Sequence, residues 1–271
     1  MLVKKGDVCF VDNKSINQKT QEKLLGDHAF MIVQDGELKK NTQTVHLTWG
    51  GLETWDFDWQ GARPDYLFRC PNSVLASKAA EYALAWSKIV PSSTRNTYDQ
   101  TRAKAVMHDL CKGGDLPFDF DGLRRAVKWS RRAESPFSLH KGLSCCAFVV
   151  ACYQAAAFSD INVTSENRAK AWDKLEALRV GKAEFRQGHN VHNPAYREYA
   201  NPGAKETDAM TQVIACMKRS DETDKDFLER IMTWPMMVDA RFLHTDGLIR
   251  RLQDSRSGWA QVTKGQATWP F

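Results

Sequence analysis

The sequence predicts an α+β chain in which an antiparallel sheet packs on helices. Three observations carry that expectation. Four short apolar runs separated by turn residues fill the first seventy positions. Segments with helical spacing follow them. The stretch from Gly142 to Phe158 then carries almost no charge on any face. Strands grouped ahead of helices, rather than alternating with them, are the pattern of an α+β arrangement.

The strands come first. Asp7-Val8-Cys9-Phe10-Val11 follows Gly6 and has strand length. His28-Ala29-Phe30-Met31-Ile32-Val33 is a second run, closed by the turn pair Asp35-Gly36. Thr44-Val45-His46-Leu47-Thr48-Trp49 is a third, stopped by Gly50-Gly51, and Asp65-Tyr66-Leu67-Phe68-Arg69 is a fourth, followed by Pro71. Their order along the chain suggests an antiparallel meander.

Helical spacing begins after Asn72 or Ser73, either of which can cap a segment from about 74 to 89 with Leu75, Ala79, Tyr82, Ala83 and Trp86 on one face. Further helices are expected over 97 to 111, stopped by Gly113-Gly114, and over 121 to 133. The segment from 142 to 158 is apolar all round, which marks a buried helix. Beyond it the chain turns polar, with helical stretches near 165 to 179, 206 to 233 and 238 to 253, and a breaker-rich loop from Gly188 to Ala204. The expected division is a core over 1 to 158 and a helical extension or cap over 159 to 271.

Composition bounds the function. The 271 residues are 42% hydrophobic and 26% charged, ordinary for a globular protein. No apolar run reaches the roughly 18 to 20 residues of a membrane span. Lys4 and Lys5 precede no long apolar stretch, so a cleaved secretory signal is not expected. Synthesis in the cytoplasm follows, with export left to a route that needs no such signal. The net charge of +5 is spread along the chain, and pairs such as Arg124-Arg125, Arg131-Arg132 and Arg250-Arg251 read as solvated helix faces. Without a recognition motif beside them, nucleic acid is not expected as a partner. Peripheral contact with a membrane surface stays open, and so does the oligomeric state.

The seven cysteines are Cys9, Cys70, Cys111, Cys145, Cys146, Cys152 and Cys216. An odd number, several inside apolar runs, fits reduced thiols better than a disulfide framework. Their spacing builds no zinc site, and the lone pair His189 and His192 lacks an acidic companion. No metal or cofactor is implied.

One cysteine stands apart by position. Cys145 opens the buried helix just after Gly142-Leu143-Ser144, where helix N–H groups and the helix dipole favour an anion. A thiolate and an oxyanion are both stabilised in such a place. Taken alone, a buried cysteine is most simply a small hydrophobe. His28, at the start of the second strand, is a candidate base, and the thiolate–imidazolium pair is the usual activated form. His46 can share a face with His28 if the second and third strands pair, and it needs a hydrogen-bond partner in so apolar a strand.

These residues carry a resemblance. Cys145-x-x-Phe148-Val149, with Tyr153 further on, resembles the nucleophile helix of NlpC-type papain-like enzymes and selects Cys145 over Cys146. The order histidine then cysteine resembles the circularly permuted branch, which includes lecithin:retinol acyltransferase-like proteins and bacterial permuted papain-like enzymes. Gly6-Asp7-Val8, the strand from His28 and Val45-His46-Leu47 look like that branch's opening strands. Leu116-Pro117-Phe118-Asp119-Phe120 is similar to its Pro-Tyr-Asp segment, with Phe for Tyr. Ser144 and Cys146 depart from the residues usual beside the nucleophile, and these departures bear on the substrate.

The resemblance covers about residues 5 to 158. It implies Cys145 as nucleophile, His28 as base and His46 as the residue that orients it. Ser144, Asp119 and Cys146 then become candidates for the oxyanion or substrate side, although Asp119 also reads as a helix cap and Cys146 as packing. The implied activity is a cysteine hydrolase acting through a thioacyl-enzyme on a peptide or peptidoglycan amide, as in peptidases and amidases. Phospholipase or acyltransferase action on a lipid ester is the alternative, and a bacterial toxin or effector fits either. A catalytically inactive binding module that kept the fold is the contrasting reading.

Overall fold

The computed structural model describes residues 2–11, 28–37, 42–48, 51–56, 64–89, 143–159, 223, 234–236 and 245–263. The segments expected as helices over 97 to 111, 121 to 133 and 165 to 179, and all but Thr223 of 206 to 233, lie outside the described residues. So do Leu116–Phe120 with Asp119, the loop from Gly188 to Ala204 with its two histidines, Asp27, Cys111 and Cys216. Among the described residues no helix is long and apolar enough to cross a membrane.

The described architecture is α+β. Its strands are β1 (Leu2–Val3), β2 (Val8–Val11), β3 (His28–Ile32), β4 (Gly36–Glu37), β5 (Gln43–Thr48), β6 (Gly51–Asp56), β7 (Tyr66–Arg69) and β8 (Ala260–Gln261). Its helices are α1 (Ser73–Ile89), α2 (Cys145–Ser159) and α3 (Thr245–Gln253), with 3-10 turns at Trp234–Met236 and Ser255–Ser257. Six strands form one antiparallel sheet in the order β6-β5-β3-β2-β7-β8, and β1 pairs with β4 in a small ribbon.

The simple meander expected from chain order is therefore corrected in two places. Gly50-Gly51 does not end the local β structure. Gly51 takes a positive φ of 119° and opens β6, which runs back along β5 from Thr48↔Gly51 to Gln43↔Asp56. β7 then pairs with β2, on the far side of the sheet, rather than with its sequence predecessor. The charged residues Glu53 and Asp56 hide β6 from a reading based on apolar runs, since an edge strand needs only one apolar face.

The pleat sorts the side chains. Val8, Phe10, Ala29, Met31, Val45, Leu47 and Phe68 point to one face and share a core with α1 and α2. Cys9, Val11, Phe30, Ile32 and Leu67 point to the other and form a smaller cluster with Val3. Alternation at period two makes this division strict.

Both helices follow from their sequences. Asn72 rather than Ser73 caps α1, its Oδ1 accepting the Leu75 N–H at 3.0 Å. Leu75, Ala79, Tyr82, Ala83 and Trp86 are the buried stripe. In α2 every residue from Cys145 to Ala157 is buried, as its uncharged sequence demands. Ser144 caps it, its Oγ accepting the Ala147 N–H at 3.2 Å.

Two anchors orient the helices. The Tyr153 hydroxyl donates to the Gly6 carbonyl at 2.5 Å, and the Gly6 N–H donates to the Ile32 carbonyl at 2.8 Å. Ala76 packs against Gly6. At the other end of α1, Trp86 meets Phe148 with ring centroids 6.2 Å apart. Tyr153 thus sits near the beginning of α1 and Phe148 near its end, so α2 runs antiparallel to α1 and its Cys145 end points away from the corner at Gly6 and Ile32.

The described C-terminal residues join the same core. Leu248, Ile249, Leu252, Met236 and Trp259 are buried with α2, and β8 adds to the sheet beside β7. Arg250 lies on the exposed face of α3 and pairs with Asp246 at 2.8 Å.

Gly6 is a conformational and steric constraint at once. Its φ is +81°, and a Cβ there would overlap the Ala76 backbone carbonyl. Both terms oppose a side chain. Gly6→Ala is expected to lower unfolding free energy by about 2 to 4 kcal/mol, measured by urea denaturation against wild type.

Candidate functional site

The sequence-predicted residues fall at two element starts and one strand centre. His28 is the first residue of β3, His46 is central in β5, and Cys145 is the first residue of α2. Ser144 and Cys146 flank Cys145. Asp119 lies outside the described residues.

β3 and β5 pair antiparallel with Phe30 opposite His46. His28 and His46 are then diagonal neighbours on one face of the sheet, within reach of each other. His28 Nε2 lies 3.1 Å from His46 Nδ1, a hydrogen-bond distance. The other nitrogen of His46, Nε2, lies 2.7 Å from Thr44 Oγ1, and the Thr44 hydroxyl donates to the Trp55 carbonyl at 3.1 Å. The His46 ring stacks between aromatic neighbours, with centroids 4.3 Å from Phe30 and 4.5 Å from Trp55.

Burial sets the electrostatics. His46 is 4% exposed and His28 is partly buried. Desolvation pushes the His28 imidazole down to about 4 and pushes His46 well below its ordinary value, with the neighbouring His28 adding to the second shift. Both rings are therefore neutral at neutral pH. This burial opposes the standing imidazolium of a thiolate–imidazolium pair and favours a neutral His28.

Cys145 is 5% exposed and Cys146 1%. Cys145 is the first helical residue, preceded by its cap Ser144, whose carbonyl also accepts the Phe148 N–H at 2.9 Å. The Ser144 oxygen is thus engaged with the helix, which leaves its hydroxyl hydrogen for another acceptor. The thiols of Cys9, Cys70 and Cys152 are poor nucleophiles. Burial raises Cys9, aided by Asp7, and raises Cys152. Burial also pushes Cys70 up to about 12, against a lowering hydrogen bond at the Asn72 backbone and with a smaller push from Asp7. No described cysteine is in a disulfide. Among the described residues no group of three or more His, Cys, Asp or Glu side chains is placed to hold a metal ion.

Direct contact brings His28 and His46 together, and the frame sets Cys145 on another part of the sheet. α2 packs against β3 and β5. From the Tyr153–Gly6–Ile32 corner, Cys145 lies eight residues back along α2, about 12 Å, and His28 four residues back along β3, about 13 Å. The two lengths do not run side by side: Ser87 near the end of α1 lies 3.1 Å from Thr54 of β6, so α1 and its antiparallel neighbour α2 cross the strands rather than follow β3. The pleat adds a constraint: α2 covers the face of Ala29 and Met31, whereas His28 projects with Val11 and Phe30 from the opposite face. Cys145, in the core on the α2 side, and the His28 imidazole are therefore on opposite faces of the sheet.

Thr44, Phe30 and Trp55 complete the surroundings of His46 and were not singled out by sequence. Thr44 was legible in principle, since it lies two residues before His46 and so on the same face. Trp55 was not, because β6 itself was not foreseen.

No family profile, curated protein or solved structure matches this chain.

The depressed histidines make stability depend on pH. Folded pKa values lie below the unfolded value near 6.5, so the unfolded chain binds more protons between those limits. Stability from this source is complete above pH 6.5 and is lost as pH falls toward 4. For His28 the loss is about 3 kcal/mol. Urea denaturation across that range should show the slope in wild type and a clearly smaller one in a His28→Gln, His46→Gln double variant.

Proposed function

We propose that this chain is a cysteine-dependent acyl-transfer hydrolase built on a circularly permuted, NlpC-type papain-like core. The observation that carries the reading is the 3.1 Å contact between His28 Nε2 and His46 Nδ1. It occupies one nitrogen of His28 and leaves Nδ1 as the atom that can take a proton. The start of a capped, uncharged helix at Cys145 supports the same reading.

In the proposed reaction Cys145 Sγ attacks the acyl carbon as its proton passes to His28 Nδ1. Helix N–H groups stabilise the resulting oxyanion. Collapse of the tetrahedral intermediate breaks the bond to the amine or alkoxide, which leaves with the proton from His28. A thioacyl-enzyme is left behind. Water then gives a proton to His28 and its oxygen to the acyl carbon, releasing the acid and the thiol. His46 holds the base ring throughout.

The leading substrate class is a peptide or peptidoglycan amide, so the type is peptidase or amidase. A lipid ester, with hydrolysis or transfer of the fatty acyl group, is the alternative within the same chemistry. A bacterial toxin or effector is the biological setting proposed.

Intact-mass measurement with a broad acyl-electrophile probe tests the mechanism. One adduct is expected on wild type and none on Cys145→Ala or His28→Ala, with His46→Ala slowed about 10- to 100-fold. An adduct that persists on Cys145→Ala would overturn the assignment. No adduct on wild type, with biological activity unchanged by Cys145→Ala, would favour a binding module. Release of amine from muropeptides or of fatty acid from phospholipid then separates the two substrate classes.

A further inference from the structure

The histidine pair does not end at His46. Thr44 Oγ1 lies 2.7 Å from His46 Nε2 and 3.1 Å from the Trp55 carbonyl oxygen. A threonine hydroxyl has one hydrogen to give. A carbonyl oxygen can only accept, so that hydrogen goes to Trp55; otherwise two oxygen lone pairs would face each other at 3.1 Å. Thr44 Oγ1 is then an acceptor toward His46, and His46 Nε2 must carry a hydrogen.

The rest follows by counting protons. A neutral imidazole has one N–H. With it on Nε2, His46 Nδ1 is a bare lone pair and accepts from His28 Nε2–H across 3.1 Å. The single proton of neutral His28 is thereby on Nε2, and its Nδ1 is a lone pair. Thr44 is 0% exposed and His46 4%, so water does not compete for these groups.

We infer that Thr44 is a positioning residue that fixes where the protons sit on the His28–His46 pair, so that His28 Nδ1 is left as the acceptor. The consequence for catalysis rests on the hydrolase reading; the proton positions do not. Without the Thr44 hydroxyl, His46 Nε2–H would face a methyl group, and a buried donor without a partner is penalised. His46 then relaxes to the Nδ1–H form and donates to His28 Nε2. His28 in turn carries its proton on Nδ1, which closes the lone pair that would take the thiol proton.

Two-bond proton–nitrogen spectra of the imidazole rings in the uniformly nitrogen-labelled full chain read this directly at neutral pH. His28→Gln and His46→Gln assign the signals. Wild type and Thr44→Ser are expected to show Nε2–H on both rings. Thr44→Val is expected to move both toward Nδ1–H. It should also slow iodoacetamide labelling of Cys145 about tenfold, the equivalent of one hydrogen bond's net contribution. Thr54→Val, which removes an exposed hydroxyl bonded to Ser87, serves as control and should change neither.

Nδ1–H on either ring in wild type overturns the inference, whether or not the valine variant folds. So does a Thr44→Val chain that keeps Nε2–H on both rings, or a Thr44→Ser chain that loses it. A tautomer change in Thr44→Val with Cys145 labelling unaltered upholds the role of Thr44 and counts against Cys145 and His28 as a catalytic couple.

Discussion

The corner formed by Gly6 and Asp7 fixes the relation of the sheet to both helices. Asp7 is 1% exposed, yet its carboxylate is fully engaged: it accepts the Lys4 N–H at 2.8 Å and two Arg69 donors at 2.9 and 2.7 Å. A buried carboxylate is tolerable only with such partners. Arg69 is the last residue of β7, so this bidentate pair ties β7 to the turn that leads into β2. Hydrogen bonding to Asp7 also holds the guanidinium charge more firmly than usual. One residue earlier, Gly6 receives Ala76 of α1 and the hydroxyl of Tyr153 from α2. A single tight turn thus ties β2, β3 and β7 to the two central helices.

The described fold was largely legible where one physical signal dominated. Cys145 to Ala157 could only be a buried helix, because no face of it can meet water. Leu75, Ala79, Tyr82, Ala83 and Trp86 show helical spacing without ambiguity. The strands at Val8, His28, Thr44 and Tyr66 are short apolar runs with clear stops. What sequence did not convey was pairing. Gly50-Gly51 reads equally well as an end or as a hairpin, and Glu53 and Asp56 conceal a strand whose outer face meets solvent. The return of β7 to β2 comes with the Arg69–Asp7 pair, a contact 62 positions apart in the chain that no local pattern announces. β8 is just two residues long and offers no periodicity at all.

The site shows the same division. Residue types and order pointed to His28, His46 and Cys145, and strand pairing explains why the two imidazoles meet. The environment of that pair was not legible. Phe30 and Trp55 enclose His46 between aromatic faces, and this enclosure makes the rings poor cations. A sequence shows a histidine but not its solvation, and solvation decides whether it waits as a base or as an acid. The pleat likewise places the imidazoles on the face away from α2, a consequence of odd and even positions that matters only once the helix is known to lie on the other side.

The C-terminal edge of the sheet has a consequence for how this protein is made. Leu67 donates to Thr263, and Phe68 lies opposite Gln261, so β7 finds its outer neighbour only after nearly two hundred further residues. At ribosomal speeds of about 5 to 20 residues per second, roughly 10 to 40 s separate the emergence of the two strands. Throughout that interval the N–H and carbonyl groups on one side of β7 stand open, a template for pairing with any other extended chain. Loop closure over such a span is slow in its own right. Until β8 has been made, that side of β7 lacks the neighbour it has in the finished sheet.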